Sequence, residues 1–414
     1  MSAQGKKTMM DNKKDAAIRN YRLINVVAPE LAAKLQDYRL RLSAINSGYP
    51  VLTDWHPVIP DGWGEFPQVP IRRTLVYRAK AQSWAYSHHQ TITKFGGKYV
   101  ASWSAGLLHE DYVGQEVHYA VSDDGVNWSD PGVVVATPVE SGLVRQNAGL
   151  YTTDDHLYCY VGVARDYGLD VLPPEQNDAL QEQYIGLTVY ETADLKTWTR
   201  IENAGIEKIK LHLYEEPRLT AGGRLLCGGF DLKSLEAKAV IWDDSSRPTA
   251  RPRLVDIPPS SEGLLPVQGT WYQNNDGQIW MFQRDSSVSC RLALTFSDDE
   301  GETWSELLKT DFPNTYSRLY VGRLSDGRYF IVGNNYDIFL DRRHLLIALS
   351  DEGRVFDRQY TLVEEPTTRR INGRHKEDGY QYPNCCVDGD KLLVIYSVNK
   401  EDVEVSMVDM SKVD

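Results

Sequence analysis

The sequence predicts an all-β protein, a seven-bladed β-propeller with a short helical N-terminal flank. Three observations carry this: a recurring turn motif, the spacing of its copies, and short alternating apolar runs joined by Gly-containing turns. The motif is clearest at Ser297, Asp299, Gly301, Thr303 and Trp304, an Asp-box. A tight hairpin turn explains its residue types: Ser and Asp hold turn amides, Gly permits positive φ, and Trp buries its ring beside the next blade. Degraded copies read Ser122-Asp123-Asp124-Gly125 with Trp128, Thr192-Ala193-Asp194-Leu195 with Trp198, and Ser350-Asp351-Glu352-Gly353 with Phe356.

The closing aromatics Trp128, Trp198, Trp304 and Phe356 stand 70, 106 and 52 residues apart. A unit of about 50 residues is one four-stranded blade, and the middle interval holds two. The missing turn then falls near Trp242-Asp243-Asp244 to Arg251, and the long first interval carries an insertion at Asp166 to Gln183. Extending the period back to about residue 76 and forward to about 408 gives seven units. Alternating runs such as Lys98 to Trp103, Leu157 to Val161 and Leu392 to Tyr396 supply strands, and Gly96-Gly97, Asp276-Gly277, Asp326-Gly327 and Asp388-Gly389 supply turns. Residues 13–46, with Ile18, Tyr21, Ile24, Leu31, Leu35 and Leu40 at loose helical spacing, predict one or two helices broken at Pro29. The division is therefore a flank over 1–72 and a propeller over 73–414.

A net charge of −13 over 414 residues argues against nucleic acid and anionic membrane as partners, since either needs a basic face. Ten Trp and 24 Tyr against nine Phe suit stacked sheets with wet edges and a sugar-binding surface. The first 25 residues lack the apolar core of a signal peptide, so the chain as given is expected in the cytoplasm, or secreted or periplasmic if a signal has been removed. Five cysteines, an odd number, disfavour a complete disulfide framework. Cys227, Cys290, Cys385, Cys386 and His375 are metal-ligand types, but without Cys-x-x-Cys or His-Glu-x-x-His spacing they read as buried thiols. No cofactor is required.

Function in a propeller gathers at one mouth of the channel, on loops from several blades. The richest stretch runs Tyr86-Ser87-His88-His89-Gln90-Thr91, then Trp103-Ser104-Ala105-Gly106, His109-Glu110-Asp111 and Gly114-Gln115, and it holds three of the nine histidines. His89 and His109 stand at the two ends of one hairpin. Either could equally be a packed core histidine.

This stretch resembles the opening blade of a group of Asp-box (BNR) propellers: the ulvan lyases, the rhamnosyl-glucuronate lyases and certain α-L-rhamnosidases. Glu216-Pro217-Arg218-Leu219, Gly223-Arg224-Leu225-Leu226, Gly322-Arg323-Leu324, Asp326-Gly327-Arg328, Gly379-Tyr380-Gln381-Tyr382-Pro383 and Tyr396-Ser397-Val398-Asn399-Lys400 extend the resemblance over about residues 75 to 405. Sialidases also use Asp-boxes, with a Phe-Arg-Ile-Pro phrase early in the chain. Here Val69-Pro70-Ile71-Arg72-Arg73 has the wrong order, and the sialidase reading falls.

The resemblance implies β-elimination at the uronate of a rhamnose- and glucuronate-containing oligosaccharide or polysaccharide. That reaction needs a carboxylate neutraliser, a base for the C5 proton and an acid for the departing oxygen. In the lyases two histidines of the opening blade and a tyrosine move protons. His89 and His109 match the histidines, and Tyr151 is the first choice of tyrosine, ahead of Tyr214 and Tyr316. Arg218, Arg284, Arg318 and Arg343 are the arginines able to grip a carboxylate; for any one of them a surface salt bridge is the commoner role, and Arg218 gains from its place in the family-like Pro-Arg-Leu stretch. His88, Arg218, Arg284, Tyr316, Arg318 and Tyr382 are expected to bind substrate. Some lyases of the group hold a structural metal in the channel, leaving room for Ca2+ or Zn2+ without requiring either. An α-L-rhamnosidase on the same fold, or a sugar-binding propeller without catalysis, are the competing readings.

Overall fold

The computed structural model describes residues 66–165, 184–231, 234, 236–287, 289–336, 338–373 and 375–414. The predicted helices at 13–46 and the insertion at 166–183 lie outside these residues. The alternating runs form strands that pair antiparallel in sequence order, giving six four-stranded sheets. Blade 1 consists of β2 (Tyr86–Phe95), β3 (Lys98–Gly106), β4 (Glu116–Ser122) and β5 (Gly132–Val135). Blade 2 consists of β6 (Leu143–Thr152), β7 (Leu157–Arg165), β8 (Tyr184–Thr192) and β9 (Thr199–Arg200), and blade 3 of β10 (Arg218–Leu219), β11 (Leu225–Phe230), β12 (Ala237–Trp242) and β13 (Arg253–Asp256). Blade 4 takes β14 (Pro266–Gln273), β15 (Ile279–Asp285), β16 (Arg291–Ser297) and β17 (Leu308–Pro313), and blade 5 takes β18 (Tyr320–Arg323), β19 (Tyr329–Gly333), β20 (Leu345–Ser350) and β21 (Arg358–Val363).

Blade 6 corrects the predicted count of seven. It consists of β22 (Tyr380–Asp388), β23 (Lys391–Val398), β24 (Asp402–Asp409) and, at its outer edge, β1 (Ile71–Tyr77) from the other end of the chain. The extrapolated positions near 76 and 408 fall on β1 and β24, which pair directly, Ile71 with Val408 and Thr74 with Val405. Counting them separately adds a blade that is not there. The described part of the expected helical flank is likewise extended: Gln68 bridges Thr361, and β1 fills the open edge of β24, an edge that would otherwise present unpaired backbone. No helix among the described residues is long and apolar enough to cross a membrane.

The ring is held by six apolar seams, each joining two successive blades. The last joins blade 6 to blade 1 through Leu393, Ile395, Val403 and Val405 against Ile92, Tyr99, Ala101 and Trp103. The Asp-boxes sit between the third and fourth strands and pin the blades. At the clearest one, the Ser297 hydroxyl donates to Asp299 Oδ1 at 2.8 Å and accepts from the Gly301 amide at 2.9 Å. Asp299 also accepts from the Thr303 amide at 2.8 Å, and Trp304 Nε1 donates to the Gly301 carbonyl at 3.0 Å. Gly301 has φ 86°, and a Cβ there would lie 2.8 Å from Leu226 of blade 3, so both backbone and packing demand glycine.

Candidate active site

Antiparallel order places the Asp-boxes at one face of the ring. The starts of the inner strands, the second-to-third-strand connections and the blade-to-blade connections lie at the other. That other face carries the site. Four inner strands are interrupted there by bulges: β2 between His88 and Thr91, β6 between Asn147 and Gly149, β14 between Val267 and Thr270, and β22 between Gln381 and Asn384. Three of these bulges hold a non-glycine residue at positive φ: His89 (51°), Gln268 (60°) and Tyr382 (54°). Such backbone is costly for a side-chain-bearing residue and persists where a bulge re-aims a functional group.

The bulges of blades 1 and 6 are tied together. The Gln90 amide nitrogen donates to the backbone carbonyls of both Gln381 and Tyr382. The His88 ring lies 4.0 Å from that of Tyr382 and 4.5 Å from that of His89, centroid to centroid. His89 Nδ1 meets the Ser104 hydroxyl at 3.2 Å, and its ring stands 5.0 Å from that of Tyr214. Burial pushes His89 down to about 3; Glu110 opposes this, and Lys400 and Arg318 reinforce it. His88 is likewise pushed well below the usual range by burial and then by Lys400. Both imidazoles are therefore neutral at ordinary pH.

Cations surround Tyr382. Arg284 Nη1 donates to the Tyr382 hydroxyl oxygen at 2.9 Å, and the Arg342 guanidinium lies 5.5 Å over the Tyr382 ring. Burial alone would raise this phenol, but Arg284, Arg342 and Lys400 outweigh it and leave it below its usual value. Arg318 is 1% exposed, and its Nη1 and Nη2 have no hydrogen-bond partner among the described residues. An unpaired buried guanidinium fork is complementary to a carboxylate.

Two carboxyls move in opposite directions. Burial would raise Glu110, but Lys400, whose Nζ donates to Glu110 Oε2 at 2.7 Å, brings it down to about 2. Asp111 is raised to about 7, by burial and by the charge of Glu110, against a hydrogen bond donated by Gln146. A phenol held low and a carboxyl held high, both acted on by the charges of Glu110 and Lys400, are the makings of a base or nucleophile and an acid.

Thus His88, His89, Arg284, Arg318, Tyr316 and Tyr382 come together; the Arg284 guanidinium lies 4.6 Å over the Tyr316 ring. Arg218 instead stitches blades. Its Nη1 donates to the Val321 carbonyl at 2.8 Å, its Nη2 to Glu215 at 3.1 Å, and Trp271 and Tyr320 flank it. Tyr151 lies at the far end of β6, opposite Tyr158, packed against the seam between blades 2 and 3. His109 faces Tyr112, and its neighbour Glu110 is the residue of that loop grouped with His88 and His89. In the Arg342-Arg343 pair it is Arg342 that is buried at the site, whereas Arg343 is half exposed and bound to Asp341. Glu110, Asp111, Arg342 and Lys400 are site residues that sequence reasoning did not single out. Glu110, Asp111 and Lys400 lie in stretches it had marked, but nothing in the sequence shows which residues of a loop turn inward.

His88, His89 and Glu110 offer ligand atoms within 4.8 Å of one another, a set that could hold a metal ion. The charges around it oppose one: Lys400 already occupies Glu110, and Lys400, Arg342 and Arg318 disfavour positive charge at His88. Burial pushes Cys227 and Cys385 well above the usual thiol range, so ligating thiolates are disfavoured there.

Solved structures share the fold. A protein of unknown function from Dyadobacter fermentans is 16% identical, with 83% of this chain and 100% of that chain covered and a TM-score of 0.64. The intramolecular trans-sialidase of Ruminococcus gnavus, in complex with oseltamivir carboxylate, is 12% identical, with 82% and 98% covered and a TM-score of 0.59. Trypanosoma rangeli sialidase in complex with sialic acid is 14% identical, with 84% of this chain but 60% of that chain covered and a TM-score of 0.57. No curated protein matches the sequence. The BNR repeat-like domain family matches residues 97–395, most of the propeller, and the chain belongs to that family.

Proposed function

We propose that the protein is a carbohydrate-active enzyme that hydrolyses a glycosidic bond in a carboxylate-bearing oligosaccharide. The observation that carries this is the Tyr382 phenol, held low by Arg284, Arg342 and Lys400 beside the unpaired Arg318 fork. Arg318 takes the carboxylate. Protonated Asp111 gives its proton to the departing oxygen, which leaves with the electron pair of the broken bond, while Tyr382, ionised as a phenolate, bonds to the anomeric carbon. Ionised Asp111 then takes a proton from water, whose oxygen displaces Tyr382. The fold is shared with the sialidase of Trypanosoma rangeli, and this supports the reaction class.

A second reading, β-elimination at a uronate, uses the same groups: the Tyr382 phenolate takes the C5 proton, Arg318 neutralises the carboxylate, and protonated Asp111 gives its proton to the oxygen that leaves C4 with the electron pair of the broken bond. The resemblance to rhamnose- and glucuronate-processing propellers names the substrates to try. Oligosaccharides of rhamnose and glucuronate are incubated with the protein while new reducing ends and the ultraviolet absorbance of an unsaturated uronate are followed. Reducing ends without absorbance establish hydrolysis, and both together establish elimination. Binding without either product would overturn the enzymatic reading in favour of a sugar-binding propeller.

A further inference from the structure

Blade 4 carries the third strained bulge of the ring, and nothing in the chemistry above uses it. Gln268 stands there at φ 60°, at the position that His89 and Tyr382 hold in blades 1 and 6. It is 6% exposed, and its Oε1 has no hydrogen-bond partner among the described residues. The adjacent strand β15 supplies Gln283, also buried, with its Nε2 unpartnered. Gln283 directly precedes Arg284, whose cross-strand partner Val267 directly precedes Gln268. The bulge is closely packed: a Cβ on Gly269 would lie 2.9 Å from Met281 Sδ and 3.5 Å from Gln283 Cγ. A buried amide acceptor and a buried amide donor left unpaired on neighbouring strands of the blade that supplies Arg284 are costly unless a ligand completes them.

We propose that Gln268 and Gln283 form a hydroxyl-reading edge of the site. Gln268 Oε1 accepts from one hydroxyl, and Gln283 Nε2 donates to the neighbouring one, of the same sugar whose carboxylate lies on Arg318. The pair matches a vicinal diol, so it selects a polyhydroxylated acid over a bare carboxylate. This rests on the acidic-sugar reading above.

Two probes separate the two ideas: glucuronate, with both carboxylate and hydroxyls, and cyclohexanecarboxylate, with the carboxylate alone. Calorimetric titration of the wild-type protein should show tighter binding of glucuronate. Gln268→Gly removes the amide and relieves the positive φ, so its melting temperature should equal or exceed that of the wild type while glucuronate binding falls roughly tenfold. Gln268→Asn tolerates the same backbone but withdraws the oxygen, and should lose a similar factor. Gln283→Leu should behave alike, and cyclohexanecarboxylate should bind all four proteins equally. If the variants keep wild-type affinity for glucuronate, the diol edge is wrong and the carboxylate reading stands. If neither probe binds the wild type, both fall.

Discussion

Arg284 and Tyr382 come from blades 4 and 6 and meet across the channel, the guanidinium donating to the phenol oxygen at 2.9 Å. This contact places positive charge on the one hydroxyl of the site whose proton is held loosely. Tyr382→Phe should therefore lower turnover about 10²- to 10⁴-fold with little change in melting temperature. Arg284→Gln removes a charge that favours the phenolate, so the phenol pKa rises and the limb of the pH–rate profile set by its ionisation moves to higher pH. An unshifted limb would remove Tyr382 from the chemistry.

Arg318 and Arg218 should separate cleanly. Arg318→Lys keeps a charge but loses the fork, so the Michaelis constant for acidic substrates should rise about tenfold or more while stability holds. Arg218→Ala leaves buried Glu215 without its partner and should cost about 3–5 kcal/mol in denaturant unfolding. A selective loss of acidic-substrate binding in the Arg218 variant, with stability unchanged, would return it to the site.

Acid stability offers a third test. The folded protein keeps His89 neutral down to about pH 3, whereas the unfolded chain takes up that proton near 6.5. Between those values the unfolded state binds more protons, so stability falls as pH falls. His89→Gln should flatten that slope, read as the denaturant midpoint at several pH values from 6.5 to 4. An unchanged slope would show that the imidazole is protonated in the fold.

Trp304→Ala, at the face opposite the site, should cost about 3–5 kcal/mol through the seam between blades 3 and 4. Turnover per folded molecule should be unchanged. Activity lost in parallel with binding at full folding would mean that the boxes do more than pin blades.

The strand order within a blade was legible because Ser297 to Trp304 and its copies mark a turn whose chemistry is local. The blade count was not: β1 and β24 share a sheet only through pairing between distant parts of the chain, which no period along the sequence records. The site divides in the same way. Histidine pairing at His88 and His89 was visible as composition, and Arg284, Arg318 and Tyr382 as residue types in suitable company. The left-handed backbone at His89, Gln268 and Tyr382 is invisible in sequence, because none is glycine or asparagine and each bulge is imposed by neighbouring strands. Arg342 and Arg343 are the same residue type side by side, and only packing decides which one is buried.

Sheet closure by β1 makes the covalent start of the propeller a matter of splicing. The Phe66 carbonyl accepts from the Thr361 hydroxyl at 3.4 Å, and the Asp414 backbone oxygen from the Tyr360 hydroxyl at 2.7 Å, so both ends of the described ring rest on adjacent residues of β21. A short peptide joining them, with a new opening at the exposed Asp276-Gly277 turn, would keep all six seams and the site residues named above. Such a circularly permuted ring would carry its loose ends on the face away from the channel mouth, a handle for tethering the protein with its mouth left open.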